Sequence, residues 1–320
     1  MGGRLPSIRA VNKRSSVALV AVLLVGCTAE AEVPQGVPET GLLGALAGVR
    51  ATDESSLLVE YGEVAAVRGL LDQDARRFAG LRGYGYSDLA GHSQVLPELV
   101  GFDPAQATTA LRVGQSPTWV AVVRMDVDVA VVEGKVQALG GRKGGSGVWT
   151  TGEDGEIDPD GPLAQAGIVT GFQQVRVEAG SVAHSTGAEA LKWVTEPVGG
   201  KSLAADPMIG ELARCLGEVS VAVISKPRSG LPVAAGVRVA VGGEVTEVVC
   251  VPDENPNALK DLVRTNLEGA PWVEVLAGAT AEQPADQTGM VRVLVPAAPD
   301  VRVGRVLVAL QRGELPGLFG

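Results

Sequence analysis

The chain has 320 residues, a formal net charge of -10, 46% apolar residues and only 3% aromatics. An acidic balance of that size excludes nucleic acid and an anionic lipid surface as direct partners, because both repel it. So few aromatics argue against a sugar-stacking platform and predict an aliphatic core in which Trp119, Trp149, Trp193 and Trp272 serve as packing anchors.

The first 27 residues carry the clearest signal. Arg4, Arg9, Lys13 and Arg14 precede the uncharged apolar run Val17 to Val25, the pattern of a secretory signal, and the run is too short for a membrane-spanning helix of roughly 20 residues. Leu24-Val25-Gly26-Cys27 at its end resembles the lipobox of bacterial lipoproteins. The resemblance implies cleavage before Cys27, acylation of that cysteine and anchorage at the extracytoplasmic face of the cell membrane. Several acyl chains hold firmly where one is marginal, since each buried methylene contributes about 0.8 kcal/mol. Residues 1–26 hold four basic groups and no acid, so their removal takes the charge from -10 to -14. Thr28 to Thr40 is small, acidic and proline-bearing and reads as a tether, giving a lipidated and flexible stretch over 27–50.

About 290 mature residues suit one large domain or two smaller ones. From Ser55 onward, short apolar runs alternate with helical patterns, which predicts an α+β protein. Leu57 to Tyr61 reads as a strand, and Val64, Val67, Leu71 and Phe78 recur at helical spacing. Helical character continues through Ser87 to Leu99. Asp103-Pro104, Asp206-Pro207 and Asn255-Pro256 each place a capping residue before a proline, the start signal of a helix. Further helices are predicted over Val129 to Leu139 and Asp300 to Arg312. Strands are predicted over residues 118–126, 147–151, 173–178, 181–185, 219–225, 233–241, 244–251, 272–277 and 291–295. Gly242-Gly243 and Ala179-Gly180 mark hairpins. The order suggests two units, 51–225 and 226–320, each a mainly antiparallel sheet with helices on one face, similar to ferredoxin-like folds. The two share too little sequence identity to be called a repeat.

With Cys27 committed to lipid, Cys215 and Cys250 form the natural disulfide pair in an oxidising compartment; two separate buried thiols are the alternative. Gly91-His92-Ser93-Gln94-Val95 approaches the G-x-S-x-G nucleophile elbow, with His184 downstream, but Val95 occupies the fifth position and no strand leads in. Two histidines are too few for a His-based zinc site. Glu156, Asp158 and Asp160 alternate as the ligands of a calcium loop do, yet Gly167 stands where a bidentate glutamate belongs, which favours a solvated acidic turn. Gly140 to Gly147 is rich in glycine with Arg142 and Lys143 but lacks the phosphate-loop order. Asp126 and Asp128 share a strand face by spacing alone. No complete catalytic constellation and no cofactor signature emerges. The sequence therefore points to a lipid-anchored envelope module that binds or scaffolds another envelope component, with small-ligand capture as the alternative and hydrolysis by Ser93 and His184 as the third reading.

Overall fold

A computed structural model describes residues 40–320 apart from Ile157 and Pro197; the expected signal peptide, Cys27 and the expected tether as far as residue 39 lie outside the described residues, and the stretch expected to be flexible up to residue 50 contains the helix Gly41–Ala47, which buries Leu42 and Leu46. The described residues form one compact unit. Twelve strands build a single sheet: β1 (Leu58–Gly62), β2 (Thr109–Gln115), β3 (Thr118–Arg124), β4 (Arg142–Lys143), β5 (Val148–Thr150), β6 (Gln174–Glu178), β7 (Ser181–Ser185), β8 (Val221–Ser225), β9 (Val233–Val239), β10 (Val245–Pro252), β11 (Thr280–Glu282) and β12 (Met290–Pro296). Their order is β11-β12-β10-β9-β8-β1-β2-β3-β7-β6-β5-β4, and every neighbouring pair is antiparallel.

The expected α+β class and antiparallel pairing hold, but one sheet replaces the two that the sequence suggests: β8 pairs with β9 across the expected boundary, and β1 pairs with β8 at the centre. Outward from that pair the two sides follow the same plan. A three-strand meander (β1-β2-β3, β8-β9-β10) leads to a helix (Val129–Ala138, Pro256–Leu267), then a hairpin whose second strand pairs with the meander (β6-β7, β11-β12), then a helix (Ala188–Thr195, Arg305–Gln311). The expected boundary at 225/226 falls at the end of β8, the first strand of the second side.

Helices cover both faces of the sheet, not one. Alternate residues of a strand point to opposite faces, so Val221 and Val223 join the core beneath helices 256–267 and 305–311, while Ala222 and Ile224 join a second core beneath helices 41–47 and 209–216. Helix 209–216 buries Ile209, Leu212, Ala213, Cys215 and Leu216 on this second face. A third core, around Leu96, Val123, Trp149 and Val182, lies on the same face as the first, on the far side of β1 and β2. All four tryptophans are buried, as expected of packing anchors.

Several local readings need correction. Trp272–Val275, read as a strand from the largely apolar run Trp272 to Ala277, is a short helix. The i, i+4 pair Trp272 and Leu276 is buried, while Val273 and Val275 face outward. Ser87 to Leu99 is mostly turns, with helix only at Leu96–Val100. Asp103 does cap, accepting from the Ala105 N–H at 2.9 Å, but the helix it starts is one 3-10 turn, Pro104–Gln106, followed at once by β2. Asp206 and Asn255 cap longer helices as predicted: the Asp206 carboxylate accepts from Met208 and Ile209 N–H, and Asn255 Oδ1 accepts from Ala258 N–H.

Two features fasten helices to the sheet. Cys215 and Cys250 are joined in a disulfide that ties helix 209–216 to β10 across a sequence separation of 35. Arg238 and Arg292 donate to the carbonyls at the end of that helix, where cations suit the dipole. On the opposite face Glu247, fully buried on β10, accepts from Arg305 Nε at 3.0 Å and from Val306 N–H at 2.9 Å, holding the start of helix 305–311. Removing one partner of a buried ion pair costs about 3–5 kcal/mol. Glu247→Ala is therefore expected to destabilise by that order in urea melts, and a change under about 1 kcal/mol would show that the contact is dispensable. Replacing both cysteines by Ala is expected to cost roughly 3–4 kcal/mol by the chain-entropy argument, measured in the same way.

Candidate functional site

One cross-strand row departs from the aliphatic pattern. Register aligns Val223 (β8), Glu60 (β1), Arg112 (β2), Ala121 (β3), His184 (β7), Val175 (β6) and Trp149 (β5) as successive partners on one face. Glu60, Arg112 and His184 thus sit between the first and third cores, where apolar side chains would otherwise continue. Ala121, between Arg112 and His184, is small, and Trp119 two residues away lies under the Arg112 guanidinium at 4.6 Å from the ring centroid.

The connection between β1 and β2 supplies the rest. Gly85 has φ +83°, and a Cβ there would stand 2.2 Å from the Ala110 carbonyl oxygen, so only glycine lets this segment lie against β2. The close approach delivers Ser87 and Asp88 above the row. Ser87 Oγ donates to Glu60 Oε2 at 2.6 Å. Arg112 Nη1 lies 3.5 Å from Glu60 Oε1, and Arg112 Nε lies 3.8 Å from Asp88 Oδ1, too far for a hydrogen bond. Two carboxylates therefore share one guanidinium.

His184 is completely buried. Its ring stacks on Phe172 at 4.7 Å and meets Trp119 edge-on at 5.6 Å. Nδ1 lies 2.8 Å from the Gly171 carbonyl oxygen; that acceptor places the ring hydrogen on Nδ1 and leaves a lone pair on Nε2. Burial, the largest cause, holds its pKa below the ordinary histidine value; Asp88 and the Gly171 hydrogen bond pull it up, and Arg112 pushes it down. Among the described residues, five buried side-chain atoms lack a hydrogen-bond partner, and four belong to this cluster: Asp88 Oδ1 and Oδ2, Arg112 Nε and His184 Nε2. Such atoms normally cost about 1–3 kcal/mol each, and their concentration in one place makes it the candidate site.

The residues singled out in the sequence are distributed differently. Ser93 lines a cleft of about 650 Å³ between helix 64–73 and the segment after it, and His184 is not part of that cleft. No hydrogen bond joins the two among the described residues, so the nucleophile and base of a hydrolase are not brought together. Glu156 and Asp158 line a second cleft, of about 340 Å³, with Phe172 at its inner wall. Their carboxylates are used within the turn: Glu156 Oε2 accepts from Glu153 N–H and Asp158 Oδ1 from Asp160 N–H, while Asp160 is exposed. Among the described residues no group of three or more His, Cys, Asp or Glu side chains is arranged to hold a metal ion. Glu60, Arg112 and Asp88 were not singled out by sequence reasoning. The signal available was a single charge inside each of two apolar strand runs, Leu57-Leu58-Val59-Glu60-Tyr61 and Ala110-Leu111-Arg112-Val113.

The depressed His184 pKa has a definite consequence for stability. Below the unfolded value near 6.5 the unfolded chain binds a proton that the folded chain resists. Stability from this residue is thus present above about pH 6.5 and is lost as pH falls toward the folded pKa. Urea melts at pH 8 and pH 5 are expected to show a larger loss in the natural chain than in His184→Gln. Equal losses in the two would remove His184 as the cause.

Comparison with models of known protein families, with curated proteins and with solved structures finds no match to this chain.

Proposed function

We propose that the protein is a lipid-anchored, extracytoplasmic binding module of the cell envelope, held by acylated Cys27 and presenting the folded unit to another envelope component. The observation that carries this reading is the buried Cys215–Cys250 disulfide, a bond at home in oxidising compartments, taken together with the signal and lipobox pattern of residues 1–27. No helix among the described residues is long and apolar enough to cross a membrane. Binding is favoured over catalysis because Ser93 and His184 are separate and Ser87, the hydroxyl nearest the polar row, donates to Glu60 and not to a histidine.

Small-ligand capture is the second reading, favoured by the 650 Å³ cleft, which falls in the size range of small-molecule sites of about 300–1,000 Å³. The notch at Glu60, Asp88 and Arg112 is a further contact surface, since the three side chains retain 13%, 23% and 12% of their exposure.

The anchor is tested by growing cells with an alkyne-tagged fatty acid. The natural chain is expected to take up the tag and sediment with membranes, and Cys27→Ala to lose both properties. A Cys27→Ala chain that still carries the tag refutes the assignment. Crosslinking in intact cells then identifies the envelope partner by its loss in the same variant.

A further inference from the structure

The 650 Å³ cleft has a lining that its apolar floor does not explain. Val64, Val67 and Leu71 of helix 64–73 form the floor, and four charged groups surround it: Arg68 and Asp72 from the same helix, Arg82 and Asp103 from the segment opposite. None of the four pairs with another within 4.0 Å, and the Arg82 and Asp72 side chains make no hydrogen bond or ion pair among the described residues. Arg68 gives one hydrogen bond to the Ala105 carbonyl at 2.7 Å, and Asp103 accepts from the Ala105 N–H. Opposite charges that share one cleft without meeting leave room for a molecule that meets both.

Tyr86 supplies an independent observation. Its side chain is 4% exposed and lines this cleft, and its hydroxyl makes no hydrogen bond to another side chain among the described residues. Burial is the main cause that raises its pKa; Asp103 adds to the rise, while Arg82, the Gly83 backbone and Arg68 oppose it, which places both guanidiniums and one carboxylate within electrostatic reach of the hydroxyl. A phenol O–H on the wall of a cleft that also carries two arginines is placed to donate to a carboxylate.

We propose that this cleft binds a small zwitterion of the amino-acid or short-peptide class, with its carboxylate taken by Arg82, Arg68 and the Tyr86 hydroxyl, its ammonium facing Asp72, and an apolar side chain on Val64, Val67 and Leu71. Arginine forks and a phenol O–H match the planar carboxylate, and the floor contributes by removing apolar surface from water. The proposal rests on the reading of the folded unit as a binding module but not on lipid anchorage.

The test uses the full chain purified in detergent and isothermal titration with the dipeptide L-alanyl-L-leucine. Its N-acetylated form lacks the ammonium, and its C-terminal amide lacks the carboxylate. Saturable binding of the free dipeptide is expected, with either capped form weaker by about tenfold or more. Tyr86→Phe, which keeps the ring in the core, and Arg82→Gln, at an exposed position, are each expected to weaken binding roughly tenfold. Arg312→Gln, outside the cleft, is expected to leave it unchanged. Lack of saturable binding, binding unaffected by both cleft variants, or equal binding of all three dipeptide forms overturns the proposal. Because titration is independent of crosslinking in cells, a negative titration with an envelope partner still captured sinks only the ligand assignment. Binding without any captured partner instead favours small-ligand capture over scaffolding.

Discussion

The pairing of β1 with β8 is the constraint on which the rest of the molecule depends. Five residues of each strand are matched, from Leu58 opposite Ser225 to Gly62 opposite Val221, in the middle of a twelve-stranded sheet. Val59 and Tyr61 thereby enter the core shared with helices 41–47 and 209–216, and Glu60 faces the opposite side. A slip of one residue would exchange these faces, drive a carboxylate into an aliphatic core and expose two large side chains. On that opposite side the registers of β1 with β2, β2 with β3 and β3 with β7 align Glu60 with Arg112 and, two strands further, with His184. The polar row thus continues outward from the central pairing through its neighbours.

The polar row weakens the sheet it crosses. Aliphatic residues at positions 60, 112 and 184 would merge the first and third cores, and each would contribute about 1.5–3 kcal/mol of burial. Instead the row holds two carboxylates against one guanidinium, with a histidine lone pair beside them. Glu247 makes a useful comparison within the same sheet. It too is a buried carboxylate on a central strand, but both of its oxygens are satisfied, by Arg305 and the Val306 N–H, in a purely structural contact. Asp88 is less buried as a residue, yet neither of its oxygens has a hydrogen-bond partner. The difference separates a carboxylate whose hydrogen bonds hold a helix from one held beside Arg112 by charge alone.

Much of the fold was legible from local pattern. Strands with alternating or valine-rich runs, such as Gln174–Glu178 and Met290–Pro296, and helices with an Asx-Pro start, such as Pro256–Leu267, fall where hydrophobic period and capping chemistry put them. β2 was obscured because the Asp103-Pro104 cap is genuine but stops after one turn, and Trp272–Val275 because four residues cannot distinguish a period of 2 from one of 3.6. The single sheet was not legible, since the contact between β1 and β8 joins residues more than 150 positions apart, and no local signal encodes it. The disulfide was readable from compartment and cysteine count. The polar row was not, because its members come from four separate segments and only register brings them together.

Comparison of the two sides of the sheet locates the functional part of the chain. The sides share a strand plan, yet the first connection of the second side is the short loop 226–232, while its counterpart on the first side runs from 63 to 108. That expansion contains helix 64–73, the Gly83 to Asp88 segment, Ser93 and the capping Asp103. It builds both walls of the 650 Å³ cleft and contributes Ser87 and Asp88 to the polar row. Within Gly83-Tyr84-Gly85-Tyr86-Ser87-Asp88 the side chains separate by position: Tyr84 enters the first core, Tyr86 the third core and the cleft, and Ser87 and Asp88 the notch. A segment that serves two cores and two polar sites within six residues has little freedom to change for packing alone. The shorter loop on the second side shows that the meander closes without it; the extra length covers the third core with Leu89, Leu96, Val100 and Phe102 and, on the reading proposed above, forms the binding cleft.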